Sequence, residues 1–167
     1  MQSDSDVRSQ FIRSMRSVPG PVAVVASALG ADRAGLTATA WNSLSADPPM
    51  LLACINRKAS AHDLIQRAGA FSVNLLPKGG NELVAIFAGQ RGLSGADRFG
   101  DGQWQDGPRG QPMLIDAVAA FECELEGVHD YGSHSILVGR VGEMCNRCEG
   151  QALLYVDGSF ASALRED

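Results

Sequence analysis

The chain opens with an apolar stripe of helical period. Val7, Phe11 and Met15 lie four residues apart with Ile12 beside them, and Pro19-Gly20-Pro21 ends the run. This spacing predicts a helix from Val7 to about Ser17 with one face turned to a core. From Val22 to Leu29 the chain is rich in small and β-branched residues, which predicts a buried strand. Gly30 to Gly35 reads as a hairpin turn, and Leu36 to Trp41 as a second strand. Asp47-Pro48-Pro49 breaks the chain before a third strand over Met50 to Ile55. A short helix is predicted over Ser60 to Ala68, with Ser60 as N-cap and Asp63 three residues on as a variant capping box. Phe71 to Leu76 is a further strand closed by Pro77, and Leu83, Ile86 and Phe87 share a helical face between Glu82 and Ala88.

A Gly-rich stretch of about two dozen residues containing Trp104 follows, long enough that it must either carry function or fold locally. Beyond it, Phe121, Cys123 and Leu125 alternate with Glu122, Glu124 and Glu126, a period of two with one wet face. Ser135 to Val141 and Leu153 to Phe160 complete a count of six or seven strands and three helices. The strands follow one another without a βαβ rhythm. The pattern therefore predicts a mainly β fold, an antiparallel barrel with flanking helices, rather than a doubly wound sheet.

Length and charge narrow the picture. The 167 residues, 45% of them hydrophobic and 20% charged, suit a single domain over 1–167 with a core of its own. A net charge of −5 without a basic face argues against nucleic acid as a partner. No apolar run reaches the length of a membrane span, and the polar, acidic first residues do not resemble a secretory leader, so a cytoplasmic protein is expected. Cys54 and Cys123 sit in apolar strands as free thiols. Cys145 and Cys148 form a lone CxxC, read as reduced loop thiols rather than a metal site.

Nucleotide loops of the G-x-G-x-x-G and P-loop types are missing, as is a G-x-S-x-G elbow. Three other segments carry candidate chemistry. Thr37, Thr39, Asn42, Ser43 and Ser45 form a dense row of small polar groups beside Ala38 and Ala40, where a flat ligand can approach the backbone. Asn56-Arg57-Lys58 stands at the mouth of the short helix, whose free N–H groups and positive end attract phosphate. His129 and His134 flank Gly132; a shared metal would require Gly132 to turn the chain between them.

Taken in order, these segments resemble the short-chain flavin reductases, the small NAD(P)H:flavin oxidoreductase components of two-component monooxygenases, of the 4-hydroxyphenylacetate hydroxylase reductase type. The likeness runs from about Phe11 to Phe160. It rests on Gly35-Leu-Thr-Ala-Thr39, Ser43-Leu-Ser-Ala-Asp-Pro-Pro49, Cys54-Ile-Asn-Arg-Lys-Ala-Ser-Ala-His62 and Phe71-Ser-Val-Asn-Leu75. Phe87-Ala-Gly89, Asp97-Arg-Phe99, Gly132-Ser-His-Ser-Ile136 and Gly139-Arg-Val141 complete it.

The resemblance implies a split β-barrel, usually a homodimer, that binds FMN or FAD near the subunit boundary and uses NADH or NADPH. It places Thr37, Ala38, Thr39, Asn42, Ser43, Leu44 and Ser45 along the isoalloxazine ring and ribityl chain. Asn56, Arg57, Lys58, Ser60 and Ala61 would surround the phosphate, Arg98 and Phe99 would close over the site, and His134 would meet the nicotinamide. Two positions depart from the family: Thr39 and Trp41 replace a serine and a small residue, and Gly-Ser-His replaces Gly-Asp-His. The implied function is hydride transfer from nicotinamide to flavin, feeding a partner monooxygenase. Two alternatives remain at this point: delivery of electrons to a metal acceptor such as corrin cobalt or iron, and a non-catalytic flavin- or haem-binding split barrel. Arg13, Arg33, Arg98 and Arg109 are the cations that the 2′-phosphate of NADPH would have to choose among.

Overall fold

The computed structural model describes residues 4–146 and 150–163. Three helices, α1 (Asp4–Arg16), α2 (Ser60–Ala68) and α3 (Asn81–Phe87), fall where the apolar spacing predicts them. The main body is a seven-stranded antiparallel sheet in the order β3-β2-β6-β9-β10-β5-β4. Its strands are β2 (Ala23–Leu29), β3 (Asp32–Ala38), β4 (Trp41–Ala46), β5 (Pro49–Asn56), β6 (Ala70–Leu75), β9 (Ala119–Tyr131) and β10 (His134–Asn146).

The two edge strands, β3 and β4, are consecutive in the chain and separated only by Thr39 and Ala40. In a flat sheet those edges would stand roughly 29 Å apart at ~4.8 Å per strand, far beyond such a short link. The sheet therefore curls until its edges meet. The β4–β5 ladder runs up to that link, where the Cys54 N–H donates to the Ala40 carbonyl at 2.8 Å. This closure is the predicted antiparallel barrel.

Strand β2 is apolar but for Ser27, which is buried and donates to the Ala70 carbonyl at 2.9 Å. Ala23 and Val25 face the barrel interior with Ile55, Phe71, Val73 and Leu137. Val22, Val24 and Ala26 face outward onto Leu76, Ile86, Phe87 and Met113. A strand buried on both sides has no polar face to show. Helix α2 adds Ala61, Leu64 and Ile65 to the interior cluster. Gly139 in β10 is required by this packing: a Cβ there would lie 2.6 Å from Phe71 Cζ and 2.8 Å from Cys123 Cβ.

Several predicted details differ. The first hairpin turns on Gly30-Ala31 alone, because Gly30 adopts a φ of 61°, and Asp32 already pairs with Leu29. The predicted strand Leu36–Trp41 is two strands meeting at the Thr39-Ala40 kink, and the polar row Asn42–Ser45 lies within β4. Ser60 is the first helical residue and not the cap. Ala59 occupies that position without a side-chain cap, and Asp63 pairs instead with Arg67 at 2.9 Å. Glu122 is not on a wet face. It is 1% exposed, and its carboxylate accepts the N–H groups of Arg109 and Gln111 at 3.0 Å, so the loop over residues 107–111 covers that side of β9.

The long Gly-rich stretch folds locally. It contains a 3₁₀ turn over Gly95–Phe99 and a small hairpin of β7 (Trp104–Asp106) and β8 (Pro112–Leu114). Leu153 to Phe160 is also a hairpin, β11 (Leu153–Val156) with β12 (Ser159–Ser162), to which β1 (Gly20–Pro21) adds a third strand. The strand count thus exceeds the predicted six or seven. The clearest departure is α1. None of its residues is buried in the chain, and Phe11, Met15, Val7 and Ile12 are all exposed. No helix among the described residues is long and apolar enough to cross a membrane.

Candidate functional site

Strand β5 is the spine of the site, because it pairs with β4 on one side and β10 on the other. On the β4 side Trp41 lies opposite Ala53, Asn42 opposite Leu52 and Ser43 opposite Leu51. A bulge at Leu44 then sets Ser45 against Met50. On the other side His134, the first residue of β10, lies opposite Asn56, the last residue of β5. Met50 to Asn56 spans about 20 Å at ~3.3 Å per residue. The Thr/Ser row and the basic segment are therefore two ends of one continuous strip.

At the far end, Asn56 folds the chain into α2. Its side-chain carbonyl accepts the Lys58 N–H at 2.9 Å, and its backbone carbonyl accepts the Ala59 N–H at 3.0 Å. With alanine at the cap, no side chain satisfies the first-turn amides of α2. Asn56, Arg57, Lys58, His62, Gly132 and Ser133 line a cleft of about 490 Å³ at this helix end. Ser60 is exposed at its rim. Ala61 is fully buried in the interior cluster and does not line the cleft, because its place on α2 turns it toward the barrel core.

Gly132, with a φ of 56°, turns β9 into β10 and brings His134 to this end. His134 is exposed, and its Nδ1 meets the Ser133 hydroxyl at 2.9 Å, which directs Nε2 away from the turn. His129 lies further down β9, opposite Ile136. Among the described residues no group of three His, Cys, Asp or Glu is placed to hold a metal ion. Cys54 is half-buried, Cys123 buried and Cys145 exposed, all as free thiols; Cys148 lies outside the described residues.

Along the seam, Thr39, Ala40, Asn42, Leu52 and Cys54 floor a larger cleft of about 650 Å³ whose opposite wall is the apolar face of α1. Thr37, Ala38 and Thr39 also border a smaller cleft of about 310 Å³ toward α3 and the aromatic pair Tyr155 and Phe160. Asn42 Oδ1 accepts the Ser43 N–H at 2.8 Å, and Ser45 Oγ accepts the Asp47 N–H at 3.2 Å, so both side chains are fixed by local backbone. Trp41 donates its indole N–H to the Pro21 carbonyl at 3.0 Å and rests against Phe121.

Arg98 and Phe99 do not stand in the strip itself. Arg98 donates to the carbonyls of Leu93 and Gly35, pinning the long loop to β3. Phe99 packs at 5.1 Å from both Phe87 and Trp104. Of the other arginines considered for a 2′-phosphate, Arg33 pairs with Asp106 and Arg109 with Glu124, while Arg13 lies in the last turn of α1.

Sequence reasoning gave no role to three residues beneath the basic segment. His62 Nε2 lies 2.8 Å from Ser135 Oγ, and Ser135 donates to Asp130 Oδ1 at 2.6 Å. Asp130 Oδ2 faces the Arg57 guanidinium at 3.4 Å. The Ser135 hydrogen bond, with the charges of Arg57 and His62, holds the Asp130 carboxyl below the usual carboxylate range against a smaller opposing effect of burial. The signal was in the sequence: Ser135 interrupts the inward-facing series Leu137, Gly139 with a polar group.

The donor set suits a flavin nucleotide. Uncapped amides, Asn56, Arg57 and Lys58 match a phosphate dianion. The strip above offers hydroxyls and main chain beside an apolar floor, which matches a polyol chain and a flat ring.

The family described as a flavin reductase like domain matches residues 15–164. An "FMN reductase (NADH) RutF" of Methylorubrum extorquens is 37% identical over 133 residues, 80% of this chain and 64% of that protein's length. The "4-hydroxyphenylacetate 3-monooxygenase reductase component" of Salmonella typhi is 32% identical over 160 residues, covering 96% of this chain and 94% of its own. Among solved structures, the NADH:FAD oxidoreductase SgcE6 of Streptomyces globisporus C-1027 superposes with a TM-score of 0.88 at 27% identity, covering 100% of this chain and 99% of that one.

Proposed function

The chain belongs to the flavin reductase like domain family, and from that premise we propose that it is an NAD(P)H:flavin oxidoreductase supplying reduced FMN or FAD to a partner monooxygenase. The observation that carries this reading is the register of β5. It joins the Asn42–Ser45 part of the polar row, the Asn56–Lys58 helix mouth and His134 into one strip, with Thr37–Thr39 entering it across the kink at Ala40, and its groups suit ring, phosphate and nicotinamide in that arrangement.

A bound nicotinamide and flavin exchange hydride between their own rings, so the chain is not required to move a proton at the reacting centre. Its residues bind and orient. Thr37, Ala38, Thr39 and Asn42 to Ser45 border the ring and polyol, and backbone N–H groups of this row favour negative charge developing at the ring edge. Arg57, Lys58, Asn56 and Ser60 hold the phosphate. Arg98 and Phe99 fix the long loop beside the seam. His134 offers Nε2 to the nicotinamide as a positioning group.

The exposed apolar face of α1 forms one wall of the seam cleft, and a second copy of the chain covering that face would complete a homodimer. We place the protein in the cytoplasm, where nicotinamide nucleotides are consumed. Anaerobic stopped-flow mixing of FMN-loaded protein with NADH or NADPH tests the activity. Bleaching of the flavin absorbance is expected with one or both nucleotides. No bleaching with either would remove the enzyme reading.

A further inference from the structure

Resting on the flavin reading, we propose that His62, Ser135 and Asp130 form a positioning relay that presents Arg57 to the ligand phosphate and so makes the chain discriminate phosphorylated flavin from riboflavin. Proton directions within the chain of contacts are fixed by elementary valence. Asp130 as a carboxylate only accepts, so the single Ser135 proton goes to Oδ1 at 2.6 Å. The Ser135 oxygen must then accept from His62 Nε2–H at 2.8 Å. The other ring nitrogen, Nδ1, meets the Gln66 side-chain amide at 3.2 Å. The donors of His62 and Ser135 both point toward Asp130.

The other end of the relay is Arg57. Its guanidinium faces Asp130 Oδ2 at 3.4 Å and the Gly132 carbonyl at 3.5 Å, while its backbone N–H donates to Ser133 at 3.0 Å. A guanidinium carries five N–H donors in a rigid fork, so the edge held by Asp130 leaves the other edge for a phosphate. Arg57 is half exposed on a long side chain. Ordering such a side chain at the moment of binding weakens affinity, and holding it beforehand moves that cost to folding. Ser135 is fully buried, so packing holds its hydroxyl in place between His62 and the half-exposed Asp130 carboxylate. His62 also lines the cleft, but both ring nitrogens are engaged, which marks it as a supporting residue rather than a phosphate ligand.

Riboflavin differs from FMN only in lacking the phosphate, which makes the pair a selective probe. Fluorescence-quenching titrations with FMN and with riboflavin are to be run on the wild type, Ser135→Ala, Arg57→Ala and the double variant. The wild type should bind FMN more tightly than riboflavin. Ser135→Ala should weaken FMN binding about 5- to 10-fold, within the range of one ordinary hydrogen bond because the loss reaches the ligand only through Arg57, and change riboflavin binding less than about twofold. In the Arg57→Ala background it should cause no further loss of FMN affinity, because the relay acts through that side chain. His62→Phe keeps the ring volume without the donor and should repeat the pattern at about 3-fold, which serves if Ser135→Ala does not fold.

Equal losses for both flavins, unchanged FMN affinity in the serine and histidine variants, or additive losses in the double variant would each overturn the relay. A wild type that binds FMN and riboflavin equally would overturn it too. A wild type that binds neither overturns the flavin reading, and the relay with it.

Discussion

Replacing His134 by alanine isolates the nicotinamide side of the strip from the flavin side. The imidazole is exposed at the start of β10, and its Nδ1 is already engaged by the Ser133 hydroxyl, so the group it offers a ligand is a single Nε2. One neutral hydrogen bond is worth about 0.5–1.5 kcal/mol, which corresponds to a loss of about 2- to 12-fold in binding. The side chain packs against nothing in either core cluster, so stability should be unchanged. Steady-state oxidation of NADH at saturating FMN should show KM for NADH raised within that range. The Kd for FMN, from fluorescence quenching of the same preparation, should move less than about twofold because Asn56–Lys58 and the first-turn amides remain. A fall in kcat with KM unchanged would mean that the residue acts only in the transition state. An unchanged KM, or equal changes in KM and in Kd for FMN, would refute the assignment.

Gly139→Ala places a methyl group 2.6 Å from Phe71 and should destabilise the barrel by about 1–3 kcal/mol, with Tm down about 3–10 °C by calorimetry. Adding Phe71→Leu should recover part of that loss. Phe11→Asp with Met15→Asp charges the exposed face of α1, so sedimentation should show a dimer for the wild type and a monomer for the variant; a monomeric wild type would refute the proposed dimer, and an unaltered dimer would place the subunit contact elsewhere. Burial, aided by Glu122, pushes the Cys123 thiol up to about 12. Native protein at pH 9 should therefore leave Cys123 unlabelled by iodoacetamide in peptide mass spectra while exposed Cys145 reacts. The same shift has a sign for stability: its contribution is complete below the unfolded thiol value of about 8.5 and is lost as pH climbs toward the folded one.

The barrel was legible because its strands are local apolar runs, and β2 announced its double burial by having small and apolar residues on both faces, with Ser27 its one polar position. What periodicity missed depends on neighbours distant in the chain. Glu122 alternates with apolar residues as a solvent-facing residue would, yet the loop over residues 107–111 satisfies its carboxylate with backbone amides. The stripe on α1 was read correctly as an apolar face, but the chain alone offers it no core. Ser60 looked like a cap because serine usually is one, whereas Ala59 holds the position and leaves the helix end open. Within the site, the basic segment and the hydroxyl row were visible as composition. The relay was not, since His62, Asp130 and Ser135 meet only when β9 and β10 fold back on α2.

The site is therefore a product of strand register more than of any motif. His134 stands beside Asn56 because β5 and β10 pair without a shift from Arg140 to His134. A slip of one residue would turn Ile136, Val138 and His134 to the opposite face and expose Leu137. That slip is opposed at the middle of β10, where Gly139 admits Phe71 and bulges against β9 fall at Val138/Gly139 and Val141/Glu143. Ser135 shares the barrel-facing parity of Leu137, so the register that buries the core also buries the hydroxyl of the relay. On the other flank the Leu44 bulge resets β4 against β5 and decides which partners Ser43 and Ser45 face. The same packing that keeps the barrel closed thus fixes the spacing between the hydroxyl row, the basic helix mouth and His134, and a core substitution at Gly139 should disturb His134 and Arg57 without touching either.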